Sequence, residues 1–244
     1  MPHLHLRTVG STNTEARELA AAGAPGGTVV TSEEQTAGRG RQGRPWSTPA
    51  GAALAYSLVL RREIKPPSTL PLQIGVAVCE AVEALGVERT ELKWPNDIWI
   101  DGRKCAGILV ESRPQEGWAV AGVGLNLTIG PDQFPDELRG GATSVGHGAD
   151  TASATAALNE AIGRRLEIPF EQTLLELSER DALRGRTVAW DGGSGIAAGI
   201  DRDGGLLILG SAGSDRIPGS VVEVISNVID RDMGVRDAVI APRV

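Results

Sequence analysis

The sequence predicts an α+β fold in two modules, and three observations predict it. Leu70, Ile74, Val78, Ala81, Val82 and Leu85 recur at helical spacing through residues 69–85, the pattern of a core-packing helix. Short apolar runs at 27–32, 52–60, 98–100, 105–111 and 118–128 read as strands on either side of it. After Arg184 the pattern changes to brief strands between glycine turns, at 187–190, 196–201, 206–209 and 220–224, as in a small β-barrel. A chain of 244 residues accommodates one good core and a small second module. The expected division is 1–184, 185–230 and a tail, 231–244.

In chain order, a first strand at 4–9 is broken by Gly10, and Ser11-Thr12-Asn13 precedes an alanine-rich helix. Thr12 and Glu15 have capping-box spacing, and Gly23 with Pro25 ends the helix. The 27–32 strand then delivers Gln35, whose amide can both donate and accept. Strand 52–60 ends in the charged turn 61–67, and the 69–85 helix stops at Gly86. Residues 91–94, the turn Pro95-Asn96-Asp97 and the strand 98–100 lead to Asp101-Gly102, a strong hairpin signal. Lys104 leaves that hairpin on the next strand, near Asp97. Gly122, Gly124 and Asn126 lie within the 118–128 strand, and glycines there imply the close approach of a ligand or another backbone. Irregular chain follows, then helices near 152–166 and 170–183.

Composition excludes several classes. Hydrophobic residues at 41% and charged residues at 23% are those of an ordinary globular chain. The formal net charge of −7 opposes nonspecific nucleic-acid binding. No apolar run is long enough to span a membrane, and the N-terminus lacks a signal-peptide pattern. Cys79 and Cys105 show no CxxC pattern and fit a reducing compartment, so a cytoplasmic location is expected. His3 and His5 share a strand face and could bind metal, but without a Cys/His cluster a surface strand is the better reading and no structural metal is expected.

Against that acidic background, residues 38–46 read GRGRQGRPW, with three glycines and three arginines in nine residues. Glycine lets backbone N–H groups approach a ligand, and Arg39, Arg41 and Arg44 supply forked, permanently charged donors. The stretch describes an anion clamp in a loop between two strands. Gly38, Gly40 and Gly43 also satisfy G-x-G-x-x-G. A dinucleotide fold is disfavoured, because no strand leads directly into Gly38 and Pro45 and Gly51 follow where a helix should open.

GRGRQGRPW resembles the ligand loop of the biotin protein ligases. The resemblance covers nearly the whole chain, since STN at 11–13, KWPNDI at 93–98, GRKCAGIL at 102–109 and GVGLNL at 122–127 recur in the family's order. It implies a mixed-sheet catalytic domain of the biotin/lipoate ligase type followed by an SH3-like domain. It also implies the activity of a biotin–[biotin carboxyl-carrier protein] ligase, which forms biotinyl-5′-AMP from biotin and ATP with Mg²⁺ and then acylates a lysine of a biotin carboxyl carrier protein or domain of a biotin-dependent carboxylase. Gly10 departs from members that carry an acidic residue there.

Carried over by position, Ser11, Thr12, Asn13 and Gln35 would bind biotin's ureido ring. Gly38, Arg39, Gly40, Arg41, Lys104 and Gly107 would complete the biotin site. Arg39, Arg41, Arg44, Trp46, Asn96 and Asn126 would bind ATP, with Mg²⁺ near Asp97. Lys104, Arg41 and Asp97 form the expected catalytic set, Lys104 bridging carboxylate and α-phosphate. An exposed sheet edge around 107–112 would pair with a carrier strand. No nucleic-acid or membrane partner is expected. A lipoate or octanoate ligase or transferase is the nearest alternative, disfavoured by a residue set suited to a polar bicyclic head. A biotin-sensing repressor is the remote one, because STN beginning at residue 11 leaves no room ahead of it for a helix-turn-helix.

Overall fold

The computed structural model describes residues 2–46, 50–62, 66–146, 148–191 and 193–210. The expected strand at 220–224 and the tail lie outside them. The chain divides into two compact units, one running to Ala182 and including Arg202–Gly204, the other beginning at Leu183.

The first unit is built on a seven-stranded sheet in the order β1-β2-β3-β7-β6-β5-β4. Its strands are β1 (His3–Val9), β2 (Val29–Gln35), β3 (Ala53–Leu60), β4 (Glu91–Lys93), β5 (Asp97–Ile100), β6 (Arg103–Arg113) and β7 (Trp118–Asn126). The sheet is mixed: β1 and β2 run parallel, and the other neighbours are antiparallel. The helix α1 (Thr12–Ala21) links the parallel strands β1 and β2 and packs Ala16 and Ala20 with Val30, Val59 and Val120. The helix α2 (Leu70–Ala84) packs with α3 (Thr151–Leu166) and α4 (Phe170–Arg180). Its almost wholly buried surface explains why its apolar residues outnumber a single helical stripe.

β3 is buried along its whole length, and its neighbour β7 is buried at every position except Gly124, which is half-buried. On β7 the even-numbered residues share one face: Trp118, Val120, Gly122, Gly124 and Asn126. The first two pack under α1, the glycines give the sheet a shallow floor, and Asn126 closes the far end. Register places Ala55 and Gly107 on either side of Gly124, and Ser57 and Leu109 on either side of Gly122.

In the second unit, β8 (Thr187–Trp190), β9 (Gly193–Ile200) and β10 (Leu206–Leu209) form an antiparallel sheet in the order β10-β9-β8. A small β-sheet is therefore present at the expected place; the described strands do not close a barrel.

One local expectation is corrected. Thr12 does not cap α1. The N-cap is Ser11, without a side-chain capping bond, because the Thr12 hydroxyl is engaged by Gln35 and Ser57 instead. The alternative metal reading of His3 and His5 also has a physical counterweight, since both rings hydrogen-bond the Thr31 hydroxyl, at 2.8 and 2.9 Å. Among the described residues no group of three or more metal-binding side chains occurs, and no helix is long and apolar enough to cross a membrane.

Candidate active site

Over the glycine floor lies a cavity of about 220 Å³. Five parts of the chain bound it: the start of α1, Gln35 of β2 with Ala55 and Tyr56 of β3, the 38–46 loop, the strands β5 to β7 with Asn96 ahead of them, and the 129–142 connector. Every predicted site residue lines it except Gly38, which is buried at the base of the loop. A side chain at Gly38 would overlap the Trp46 carbonyl, and the Trp46 N–H donates to the Gly38 carbonyl at 2.9 Å. Gly38 thus closes the loop rather than facing the cavity.

The loop is a short hairpin. Gly40 N–H donates to the Arg44 carbonyl at 2.7 Å, and a single 3₁₀ turn, Arg41–Gly43, crosses its tip with Gln42 and Gly43 at positive φ. It leads towards β3 and not into a helix, which bears out the rejection of a dinucleotide fold. Arg39, Arg41 and Arg44 bring three guanidinium groups to the rim, with Arg39 donating to the Thr14 hydroxyl at 3.0 Å.

Trp46 turns back into the cavity, its indole over Gly107 and Gly124, where any added side chain would press into the ring. The close approach that the strand glycines imply is thus met by side chains: Trp46 at Gly124 and the Asn13 amide at Gly122. The Trp46 indole N–H is buried without a hydrogen-bond partner.

Lys104 reaches the site through a register shift. Opposite Ile98 and Trp99, β6 carries one extra residue, so Cys105 and Ala106 both point into the core while Lys104 and Gly107 face the cavity. Lys104 Nζ lies 2.6 Å from Asp97 Oδ1 and 5.4 Å from the Trp46 ring centroid. Asn96 Nδ2 donates to the Ile108 carbonyl at 2.9 Å, and Asn126 Nδ2 to the Thr143 carbonyl at 2.9 Å, which leaves each amide oxygen as the group not used in these bonds.

At the opposite end stands a polar cluster. Gln35 Oε1 accepts from Thr12 N–H at 2.9 Å, and the Ser57 hydroxyl lies 2.8 Å from Thr12 Oγ1 and 2.6 Å from Asn13 Oδ1. Asn13 Nδ2 donates to Glu111 Oε2 at 2.9 Å and to the Leu109 carbonyl at 3.2 Å. Sequence reasoning missed Ser57 and Glu111. A serine inside the apolar run ALAYSLVL was the available signal for the first, and none was available for the second, 98 residues from Asn13. It also missed the apolar cover given by Ile129, Phe134 and Leu138 of the irregular connector.

The cavity therefore joins a neutral hydrogen-bonding end to a cationic end across a glycine floor, which suits a ligand with a polar uncharged head and an anionic tail. Residues 6–127 match the model of the biotin/lipoate A/B protein ligase family. The chain is 36% identical to a biotin–[acetyl-CoA-carboxylase] ligase of Paracoccus denitrificans over 87% of its own length and 96% of that protein's. It is 43% identical to the bifunctional ligase/repressor BirA of Bacillus spizizenii, but over 56% of this chain and only 44% of that protein's length. Among solved structures, a biotin protein ligase from Aquifex aeolicus in complex with biotin and ATP superposes with a TM-score of 0.75 at 28% identity, covering 85% of this chain and 91% of that one. With the mixed sheet, the ordered motifs and this relative matched almost end to end, the chain belongs to the biotin/lipoate A/B protein ligase family.

Proposed function

We propose that this protein is a biotin–protein ligase: it activates biotin with ATP to biotinyl-5′-AMP and transfers the biotinyl group to a lysine of a biotin carboxyl carrier protein. The observation that carries the reading is the two-ended cavity. Thr12, Asn13 and Gln35 at one end offer paired donors and acceptors for a ureido ring. Lys104 and Arg41 at the other meet the place where a carboxylate would attack phosphate.

A carboxylate is a poor acyl donor to an amine until it carries a better leaving group, and adenylation supplies one. Biotin's carboxylate oxygen attacks the α-phosphorus of ATP, the bond to the bridging oxygen breaks, and pyrophosphate leaves. The acceptor lysine then attacks the mixed anhydride and AMP departs. Charge builds on the α-phosphate oxygens in the first step, and Lys104, Arg39 and Arg41 are the cations to stabilise it. Asp97 holds the Lys104 ammonium in place at 2.6 Å. It is the single carboxylate among the described residues lining the cavity. Magnesium bound with nucleotide takes one or two carboxylates plus phosphates, so Asp97 with Asn96 beside it fits that role, and the ion would neutralise phosphate charge.

Trp46 and the apolar connector keep water from the anhydride. For the carrier, residues 109–113 of β6 pair with β7 on one side and, beyond Gly107, have no paired strand on the other among the described residues. That open edge supports capture of a carrier strand by β-augmentation.

The test is incubation with labelled biotin, ATP, magnesium and a carrier domain. Covalent label on the carrier is expected, and its absence under conditions where the carrier is biotinylated by another ligase would refute the proposal. Pyrophosphate exchange with lipoate or octanoate in place of biotin separates the other acids of the family, and biotin alone is expected to support it.

A further inference from the structure

We propose that Glu111, backed by Arg17, is a positioning residue that sets the direction of the hydrogen-bond chain at the polar end of the cavity. The proposal rests on the reading of that end as the ureido site. Four side chains stand in line: Thr12, Ser57, Asn13 and Glu111. A carboxylate has no proton to donate, so Asn13 must present its NH₂ to Glu111 Oε2, at 2.9 Å, and its oxygen to Ser57, at 2.6 Å. The Leu109 carbonyl, also an acceptor only, enforces the same orientation at 3.2 Å.

The next bond follows: Ser57 has one proton and Asn13 Oδ1 takes it. The Thr12 hydroxyl lies within reach of both Ser57 Oγ, at 2.8 Å, and Gln35 Oε1, at 3.2 Å, and shares its proton between these two acceptors. The chain runs Ser57 to Asn13 to Glu111 with Thr12 beside it, leaving spare lone pairs of Thr12 Oγ1 and Asn13 Oδ1 as acceptors. The Asn13 oxygen is the amide atom nearest Gly122 on the cavity floor. Acceptors are what the two ureido N–H groups require. Glu111, opposite Val120 and so on the same sheet face as the glycines, therefore selects a donor ligand from beside the floor, and Arg17 Nη1, 3.0 Å from Glu111 Oε1, anchors it.

The arrangement makes an unusual prediction about two substitutions. In Glu111→Gln, Arg17 still demands an oxygen on its side, so the new amide turns its NH₂ towards Asn13. The Asn13 NH₂, held on its other side by the Leu109 carbonyl, then meets a second NH₂, and the clash displaces the amide whose oxygen faces a ligand N–H. Removing Arg17 as well frees the glutamine to turn its oxygen back to Asn13 and restore the original contact. A purely structural role predicts the opposite, that the double variant is worse than the single.

The experiment is biotin calorimetry and pyrophosphate-exchange kinetics on the wild-type chain, Glu111→Gln and Arg17→Ala/Glu111→Gln, with the Asn13 side-chain amide protons followed by NMR in the ligand-free proteins. The single variant is expected to bind biotin roughly ten- to a hundred-fold more weakly, with KM for ATP unchanged. The double variant should recover a large part of that loss, and the Asn13 amide signals should shift in the single variant and return in the double. Equal biotin affinity in wild type and Glu111→Gln, or a double variant weaker than the single, overturns the proposal. If the wild-type chain binds no biotin, the functional reading fails, and the Asn13 signals alone decide the direction of the chain: failure to shift and return overturns it.

Discussion

Lys104 Nζ stands 2.6 Å from Asp97 Oδ1 although the two residues are not paired across their strands: Asp97 faces Gly107, and Lys104 faces Trp99. The ion pair exists because one extra residue in β6 returns Lys104 to the cavity face and lays its stem over Gly107. Geometry and chemistry are joined here, since without the shift alternation would aim either the lysine or the glycine into the core.

Replacing Lys104 by Ala should lower the rate of pyrophosphate exchange by about a hundred- to a thousand-fold, the loss typical of one donor to developing charge. Stability should hardly change, because a pair whose side chains are 32% and 24% exposed contributes about 1 kcal/mol or less. Exchange kinetics beside a thermal melt check both halves; near-normal exchange would remove Lys104 from the reaction.

Gly124→Ala is expected to expel the Trp46 indole from the sheet, because a methyl group there would overlap the ring. Trp46 emission should shift towards the red in the ligand-free protein, and KM for ATP should rise. In a protein with five tryptophans the comparison needs a Trp46→Phe reference, in which the Gly124→Ala shift should vanish.

The carboxylate of Glu83 ties α2 to α4 and to Thr90, the residue just before β4. It accepts from Thr90 N–H at 3.0 Å and pairs with Arg180. Burial alone would raise this carboxyl, but the bonds from Arg180 and Thr90 outweigh it and hold it below its ordinary value. Its contribution to stability is therefore complete above the ordinary value of 4.5 and is lost as pH falls through the lower folded one. Glu83→Ala should cost about 1–3 kcal/mol at neutral pH, some 2–4 °C of Tm per kcal/mol. The difference from wild type should shrink in acid, as melts at pH 7 and below pH 4 would reveal.

Both thiols should be inert in the folded protein. Burial pushes Cys79 up to about 11 and Cys105 higher still, so neither offers thiolate at neutral pH. A thiol reagent should label no cysteine natively and two on unfolding in denaturant; rapid native labelling would contradict the placement of α2 and β6.

The local chemistry of the chain was enough to announce most elements. Apolar spacing marked α2, Asp101-Gly102 marked the β5–β6 hairpin with both residues at positive φ, and the two short strands β8 and β10 appear at the expected residues. Candidate residues were equally legible where they formed compact motifs, because a glycine-arginine loop or an Asn-Asp turn carries its chemistry within a few positions. What sequence could not decide depends on register and on distance. The capping box at Thr12 was lost to Gln35 and Ser57, partners 23 and 45 residues away. The bulge that re-aims Lys104 and the side chains that fill the space above Gly122 and Gly124 exist only once strands are paired. Sequence by itself determined which groups this protein has to offer a ligand; the tertiary structure decided which way they face, because a one-residue shift in pairing moves a side chain from the core to the cavity and a proton's direction is set by the last acceptor in its chain.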